Sequence, residues 1–157
     1  MWPTGPNVPD GGGHVSEPRS IVRPHALLLD SEALSALASD DRRIQPWASF
    51  ARRTDSTFHA STVTLAEVTD GSAGDANVRR VMKAIRLEAV SAEIGYAAGA
   101  LRAPAAKSRR KARDLTVDAV VAATALALRA PVVVLTSDDS DLALLLQDTS
   151  VRVERLT

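Results

Sequence analysis

Short apolar runs and longer amphipathic stretches take turns along most of this chain. The run Ala26-Leu27-Leu28-Leu29, ended by Asp30, has the unbroken apolarity of a strand buried on both faces. Ser31 is placed to cap the helix that follows, whose Leu34 and Leu37 share one face. Pro46 suits the first turn of a second helix carrying Trp47 and Phe50. Phe58 to Thr62 reads as a second strand, and Thr64 to Thr69 as a short helix closed by the turn signal Asp70-Gly71. Asp75 opens a helix with Val78, Val81, Met82 and Ile85 at helical spacing. Leu87 to Val90 is a third strand. Ser91 then caps an alanine-rich helix that should end before Pro104, because proline lacks the donor a helix interior needs.

Ala105 to Arg113 reads as a basic connector. Thr116 is placed to cap a helix with Val117, Val120, Val121 and Leu128 as its apolar positions. Pro131 resets the chain into the strand Val132 to Leu135. Asp138 to Gln147 reads as a helix, and Val151 and Val153, alternating with Arg152 and Glu154, as an edge strand. Strands that alternate with helices imply right-handed crossovers and a mostly parallel sheet. The fold class is therefore α/β, with helices on both faces of the sheet in three layers.

Residues Met1 to about Arg23 break the pattern. They hold Pro3, Pro6, Pro9 and Pro18 with Gly5 and Gly11-Gly12-Gly13, a composition that cannot bury enough surface to order itself. They read as a disordered arm before one domain over residues 24–157, and a chain of 157 residues suits a single domain. The hydrophobic share of 45% is enough for a core built mainly of Ala, Val and Leu.

Formal charge is zero, so the total names no partner, but its distribution does more. Arg102, Lys107, Arg109, Arg110, Lys111 and Arg113 crowd one segment. Lys107, Arg109, Arg110, Lys111 and Arg113 are candidates for an RNA backbone, and a solvated loop is the plainer reading of the same run. The absence of cysteine removes disulfides, thiolate zinc sites and a thiol nucleophile. No apolar segment follows a charged start as in a signal peptide, and Val117 to Leu128 is too short to span a bilayer. A cytoplasmic protein without membrane association is the expectation.

The acids follow the strands. Asp30 ends the first strand and Asp138 follows the strand Val132 to Leu135, while Asp118 and Glu67 lie on helices. Ligands of open α/β sheets bind beyond the carboxyl ends of the strands. Taken singly, Asp118 could serve a helix dipole, Asp138 an N-cap and Glu67 the surface. Asp30 resists such a reading, because an acid directly after a buried strand is desolvated unless paired. Several carboxylates on one sheet edge repel, and a hard divalent cation is the usual relief.

These residues, in this order, resemble the PIN-domain family, most closely its VapC-type toxin branch. The segments that carry the resemblance are LLLDSEALSAL around Asp30, STVTLAEV around Glu67, LTVDAVVAATAL around Asp118 and VVVLTSDDSDLALL around Asp138. The resemblance runs from Ala26 to the C-terminus. It implies that Asp30, Glu67, Asp118 and Asp138 are catalytic and bind metal, with Asp141 a further metal ligand and Thr136 a supporting hydroxyl. Asp139 is read as a helix cap. The resemblance also implies a mostly parallel five-stranded sheet and dependence on Mg2+ or Mn2+. The implied reaction is endoribonucleolytic hydrolysis leaving a 5′-phosphate and a 3′-hydroxyl, and the implied partners are a second copy and a small antitoxin protein.

Other sites at sheet edges fit less well. A phospho-receiver needs an Asp after its third strand, where this chain has Val90-Ser91. An aspartyl phosphatase needs a second Asp two residues after the first, where this chain has Glu32. No nucleophile elbow accompanies His14, His25 or His59, and His59 reads as a strand residue with an ordinary partner. Two alternatives remain: a catalytically silent PIN-fold module that binds RNA or a partner, and a housekeeping RNA-processing nuclease. The shortage of aromatics disfavours recognition by base stacking. Trp47 and Phe50, one turn apart, read as core or, if part-exposed, as a seam for a partner.

Overall fold

The computed structural model describes residues 23–108, 114–129 and 131–157. Strand β1 (Ala26–Leu29) leads into α1 (Ser31–Ala38), a 3₁₀ turn (Arg42–Ile44) and α2 (Gln45–Thr54). Strand β2 (Thr57–Ser61) is followed by α3 (Thr62–Val68) and α4 (Asp75–Met82). Strand β3 (Arg86–Glu88) precedes the long α5 (Ala92–Ser108) and α6 (Thr116–Ala127), and β4 (Val132–Thr136), α7 (Ser140–Leu145) and β5 (Arg152–Arg155) complete the chain.

The five strands form one sheet in the order β3-β2-β1-β4-β5, and every pairing is parallel. Strand β1 sits at the centre, with Leu28 opposite His59 on one side and Val134 on the other. All four of its residues are buried, as the unbroken apolar run requires. Alternation along the strands divides the core in two. Ala26, Leu28, Val132 and Val134 pack against α5, α6 and α7 on one face. Leu27, Leu29, Val133 and Leu135 pack against α1, α2 and α4 on the other. The expected three-layer α/β arrangement is the one observed. Trp47 and Phe50, half-buried, meet edge to face at 5.8 Å and pack on the second of these clusters.

Several local expectations are corrected. Helix α5 does not stop before Pro104 but continues to Ser108, so Ala105 to Ser108 are helical rather than part of a connector. Pro104 and Ala100 are both exposed, and the Ala100 carbonyl that loses its partner four residues on can turn to water. Asp30, not Ser31, is the N-cap of α1. Helix α4 ends at Met82, and Ile85 is buried in the link to β3. Helix α7 is confined to Ser140–Leu145.

Lys107 lies exposed in the last turn of α5. The other backbone-binding candidates, Arg109, Arg110, Lys111 and Arg113, lie outside the described residues, as does the arm from Met1 to Val22. Among the described residues no helix is long and apolar enough to cross a membrane.

Candidate active site

In the order β3-β2-β1-β4-β5 the chain winds outward from β1 in one direction and restarts at β4 on its other side. The carboxyl ends of β1 and β4 therefore flank the topological switch point, where the crossovers diverge and leave a crevice. Asp30 is the first residue after β1, and Asp138 follows β4 by two.

Asp30 is fixed by its local role. Its backbone is extended, at φ −78° and ψ −176°, and Oδ1 accepts the Ala33 N–H at 2.8 Å. Burial pushes its carboxyl above the ordinary value, the hydrogen bonds from Thr136 and Ala33 pull it back, and the charge of Glu32 adds to the rise. Thr136, the buried last residue of β4, ties the two strand ends together. Its Oγ1 accepts the Asp138 N–H at 3.1 Å, and it stands 3.0 Å from the Asp138 carbonyl oxygen as well as in hydrogen-bonding reach of Asp30. The hydroxyl has one proton, which serves either that carbonyl or the Asp30 carboxylate at a given moment.

Asp138 is exposed, and its Oδ1 accepts the Ser140 N–H at 3.1 Å and the Ser140 hydroxyl at 2.8 Å. Asp139 holds the N-cap position of α7 as expected, but its side chain makes no capping hydrogen bond, and Asp138 serves the Ser140 N–H instead. Asp141 is buried in the first turn of α7, and Asp118 half-buried in the first turn of α6. Glu67 stands near the end of α3. Partial burial raises its carboxyl above the usual range, the neighbouring charge of Asp30 raises it further, and a bond from Ser31 opposes both. The charge of Asp30 is thus felt at Glu67 across the crevice.

Asp30, Glu67, Asp118, Asp138, Asp141 and Thr136 all line one cleft of about 500 Å³. Sequence reasoning missed further members of its wall, Asp114, Glu32 and Ser137 among them. Asp114 takes the capping role expected of Thr116: its Oδ1 accepts the Thr116 N–H at 2.9 Å, and the Thr116 bonds hold its carboxyl below the usual range. The signal was present in Asp114-Leu115-Thr116, where an acid stands two residues before the helix start.

The donors are carboxylates and hydroxyls, without histidine or sulfur, and such a set suits a hard cation in kind. Among the described residues no three acidic or histidine side chains close on a single metal position.

At the level of sequence, no family model matches the chain and no curated protein does. Solved structures do. A chain of the VapBC2 complex from Rickettsia felis bound to a promoter DNA fragment is similar with a TM-score of 0.65 and 13% identity, over 84% of this chain and 99% of that one. A chain of DNA-bound VapBC from Salmonella typhimurium is similar with a TM-score of 0.59 and 15% identity, over 87% and 100%. A chain of a toxin-antitoxin complex from Klebsiella pneumoniae is similar with a TM-score of 0.57 and 22% identity, over 80% and 94%. The likeness extends over nearly the whole of each related chain, and the fold is the one the PIN-type resemblance implied.

Proposed function

We propose that this chain is a metal-dependent endoribonuclease, acting as the toxin of a toxin-antitoxin pair. The observation that carries the reading is the convergence of Asp30, Glu67, Asp118, Asp138 and Asp141 on one cleft at the switch point of the sheet. Five acids from the ends of β1 and β4 and from α3, α6 and α7 share this crevice, and bringing like charges together costs free energy that a bound cation would offset.

Carboxylates among these five would hold Mg2+ or Mn2+, directly or through its bound waters, with Thr136 orienting Asp30 and the Asp138 backbone from behind. A cation there supplies an acidified water and neutralises charge on the phosphodiester. The chain's own residues prepare that chemistry. The helix cap fixes the rotamer of Asp30, and the Ser140 bonds fix that of Asp138. Glu67, exposed at the mouth and raised in pKa, is suited to exchange a proton with solvent.

An antitoxin partner is supported by the toxin-antitoxin complexes among the structural relatives, and a homodimer by the sequence resemblance. The silent-module alternative predicts RNA or partner binding without cutting, and the retained acids speak against it. A housekeeping nuclease would keep the same acids and differ in its partner.

The test is incubation of the purified full chain with total RNA and Mg2+ or Mn2+, with chelator and Asp30→Asn as controls. Cleavage that needs the metal and disappears in the variant supports the nuclease. A folded chain that binds the metal and leaves structured and unstructured RNA intact sinks it.

A further inference from the structure

An acidic cleft has a difficulty with a polyanion. A cation can neutralise the phosphate being cut, but the phosphates on either side still meet Asp30, Glu67, Asp118, Asp138 and Asp141. Cations on the rim would relieve this, and the described residues place two of them at one point of it.

Ser137 lines the cleft between Thr136 and Asp138. Two guanidiniums reach it from elements far apart in sequence. Arg43, in the 3₁₀ turn before α2, brings Nη1 to 3.4 Å from the Ser137 hydroxyl. Arg155, the last residue of the edge strand β5, donates through Nε to the Ser137 carbonyl at 3.0 Å. Both arginines are exposed. Asp41 holds the rest of the Arg43 fork, through Nε at 3.1 Å and Nη2 at 2.9 Å, and so fixes its direction. Such an exposed, solvent-screened pair is too weak to keep the guanidinium from a phosphate. Among the described residues the Ser137 bond is the one hydrogen bond Arg155 makes, and it leaves the terminal Nη groups unused.

We propose that Arg43 and Arg155 form a phosphate clamp on the β4–β5 rim of the cleft, gripping the backbone of single-stranded RNA beside the bond to be cut. The proposal rests on the nuclease reading for its ligand and adds positioning residues to it. Planar guanidiniums match phosphate oxygens in pairs, and here both are oriented before the ligand arrives. The grip is on backbone alone, so it does not discriminate between base sequences.

The test uses the full chain in an Asp30→Asn background, so that bound RNA is not consumed, with fluorescence anisotropy of a labelled single-stranded RNA across a salt series. Arg43→Ala with Arg155→Ala is expected to raise Kd at least tenfold. It should also flatten the dependence of log Kd on log salt by about 0.7 for each phosphate that is no longer gripped. Arg52→Ala, on the exposed part of α2, should change neither. Arg155→Lys should recover part of the affinity, because the charge stays and the fork is lost. In the cleaving background the double variant should raise KM far more than it lowers kcat.

Arg155→Ala also removes a bond to the backbone. Arg43→Gln, which removes none, therefore carries the test if the double variant unfolds early, with a rise in Kd of at least threefold expected. Unchanged Kd and unchanged salt slope in the folded variants, with metal-dependent cutting intact in the wild type, overturn the clamp and leave the nuclease standing. Arginine-dependent RNA binding in a wild type that never cuts does the reverse. A wild type that retains no RNA overturns both.

Discussion

The two ends of the sheet handle charge in opposite ways. At the amino end, a pocket of about 330 Å³ is lined by His25, His59, Arg86, Arg129, Asp55 and Glu88, so both signs are present. The ionisable group buried there has its partner at hand: His59 Nδ1 and Glu88 Oε1 stand 2.7 Å apart. At the carboxyl end the groups facing the cleft are acids of one sign, and two of them are pushed toward protonation. An end that balances its own charge is complete as folded. An end where acids of one sign gather in one cleft, two of them with raised carboxyls, has the pattern of a site for a ligand, and this difference separates a structural polar cluster from a candidate functional one.

The contrast predicts its own tests. The largest effect belongs to Asp30→Asn, which keeps the helix cap and removes the charge. RNA cleavage should fall by more than about 100-fold, since even partners one shell out from a metal typically cost 10–100-fold. The same variant should be the more stable protein at pH 7. The carboxyl is raised in the fold above its reference of 3.8, so its favourable contribution is complete below that pH and is lost as pH rises through the folded value. Denaturant unfolding of both proteins should therefore give matching stabilities near pH 3.5 and diverge above it. A variant less stable than wild type at pH 7 would break the comparison.

Thr136→Val comes next, with an expected 10–100-fold loss of cleavage. The loss of the Asp138 N–H bond should also cost about 1–3 kcal/mol by urea unfolding. Added Mn2+ should then raise stability by about 2.7 kcal/mol at one hundred times its Kd. That gain should shrink as pH falls and Asp30 and Glu67 take up protons, which thermal melts at pH 7 and pH 4.5 would show. The amino end should respond in the other currency. Glu88→Ala is expected to cost about 1 kcal/mol by urea unfolding and to leave cleavage unchanged. A change of similar size and opposite sign is expected at Thr64, whose fully buried Oγ1 has no hydrogen-bond partner among the described residues. Thr64→Val should stabilise by about 1 kcal/mol without touching cleavage.

Much of this was readable in the chain, and the misses have local causes. The run Leu27-Leu28-Leu29 could only be a buried strand, and the acid after it had to stand at the carboxyl edge. Caps were harder, because adjacent residues compete for them. Asp30 and Ser31 can both cap α1, as Asp114 and Thr116 can α6, and backbone direction decides between them. Pro104 misled because the cost of a proline falls away where the freed carbonyl faces water, and exposure is a property of the packed protein. Arg43 and Arg155 showed no pattern at all. Their meeting at Ser137 depends on the 3₁₀ turn and the edge strand being brought together by β1 and β4.

The central pairing of β1 with β4 has a consequence in time. Ala26 lies beside Val132, 106 positions further along the chain, so closing this pair is a late and entropically costly step. The cleft exists only once it has closed, because Asp30 arrives on one partner and Thr136 and Asp138 on the other. A ribosome that has made Asp30, Glu67 and Asp118 has made no part of a working crevice. The acids stay scattered until β4 emerges and pairs with β1, so the cleft is absent through most of the chain's synthesis.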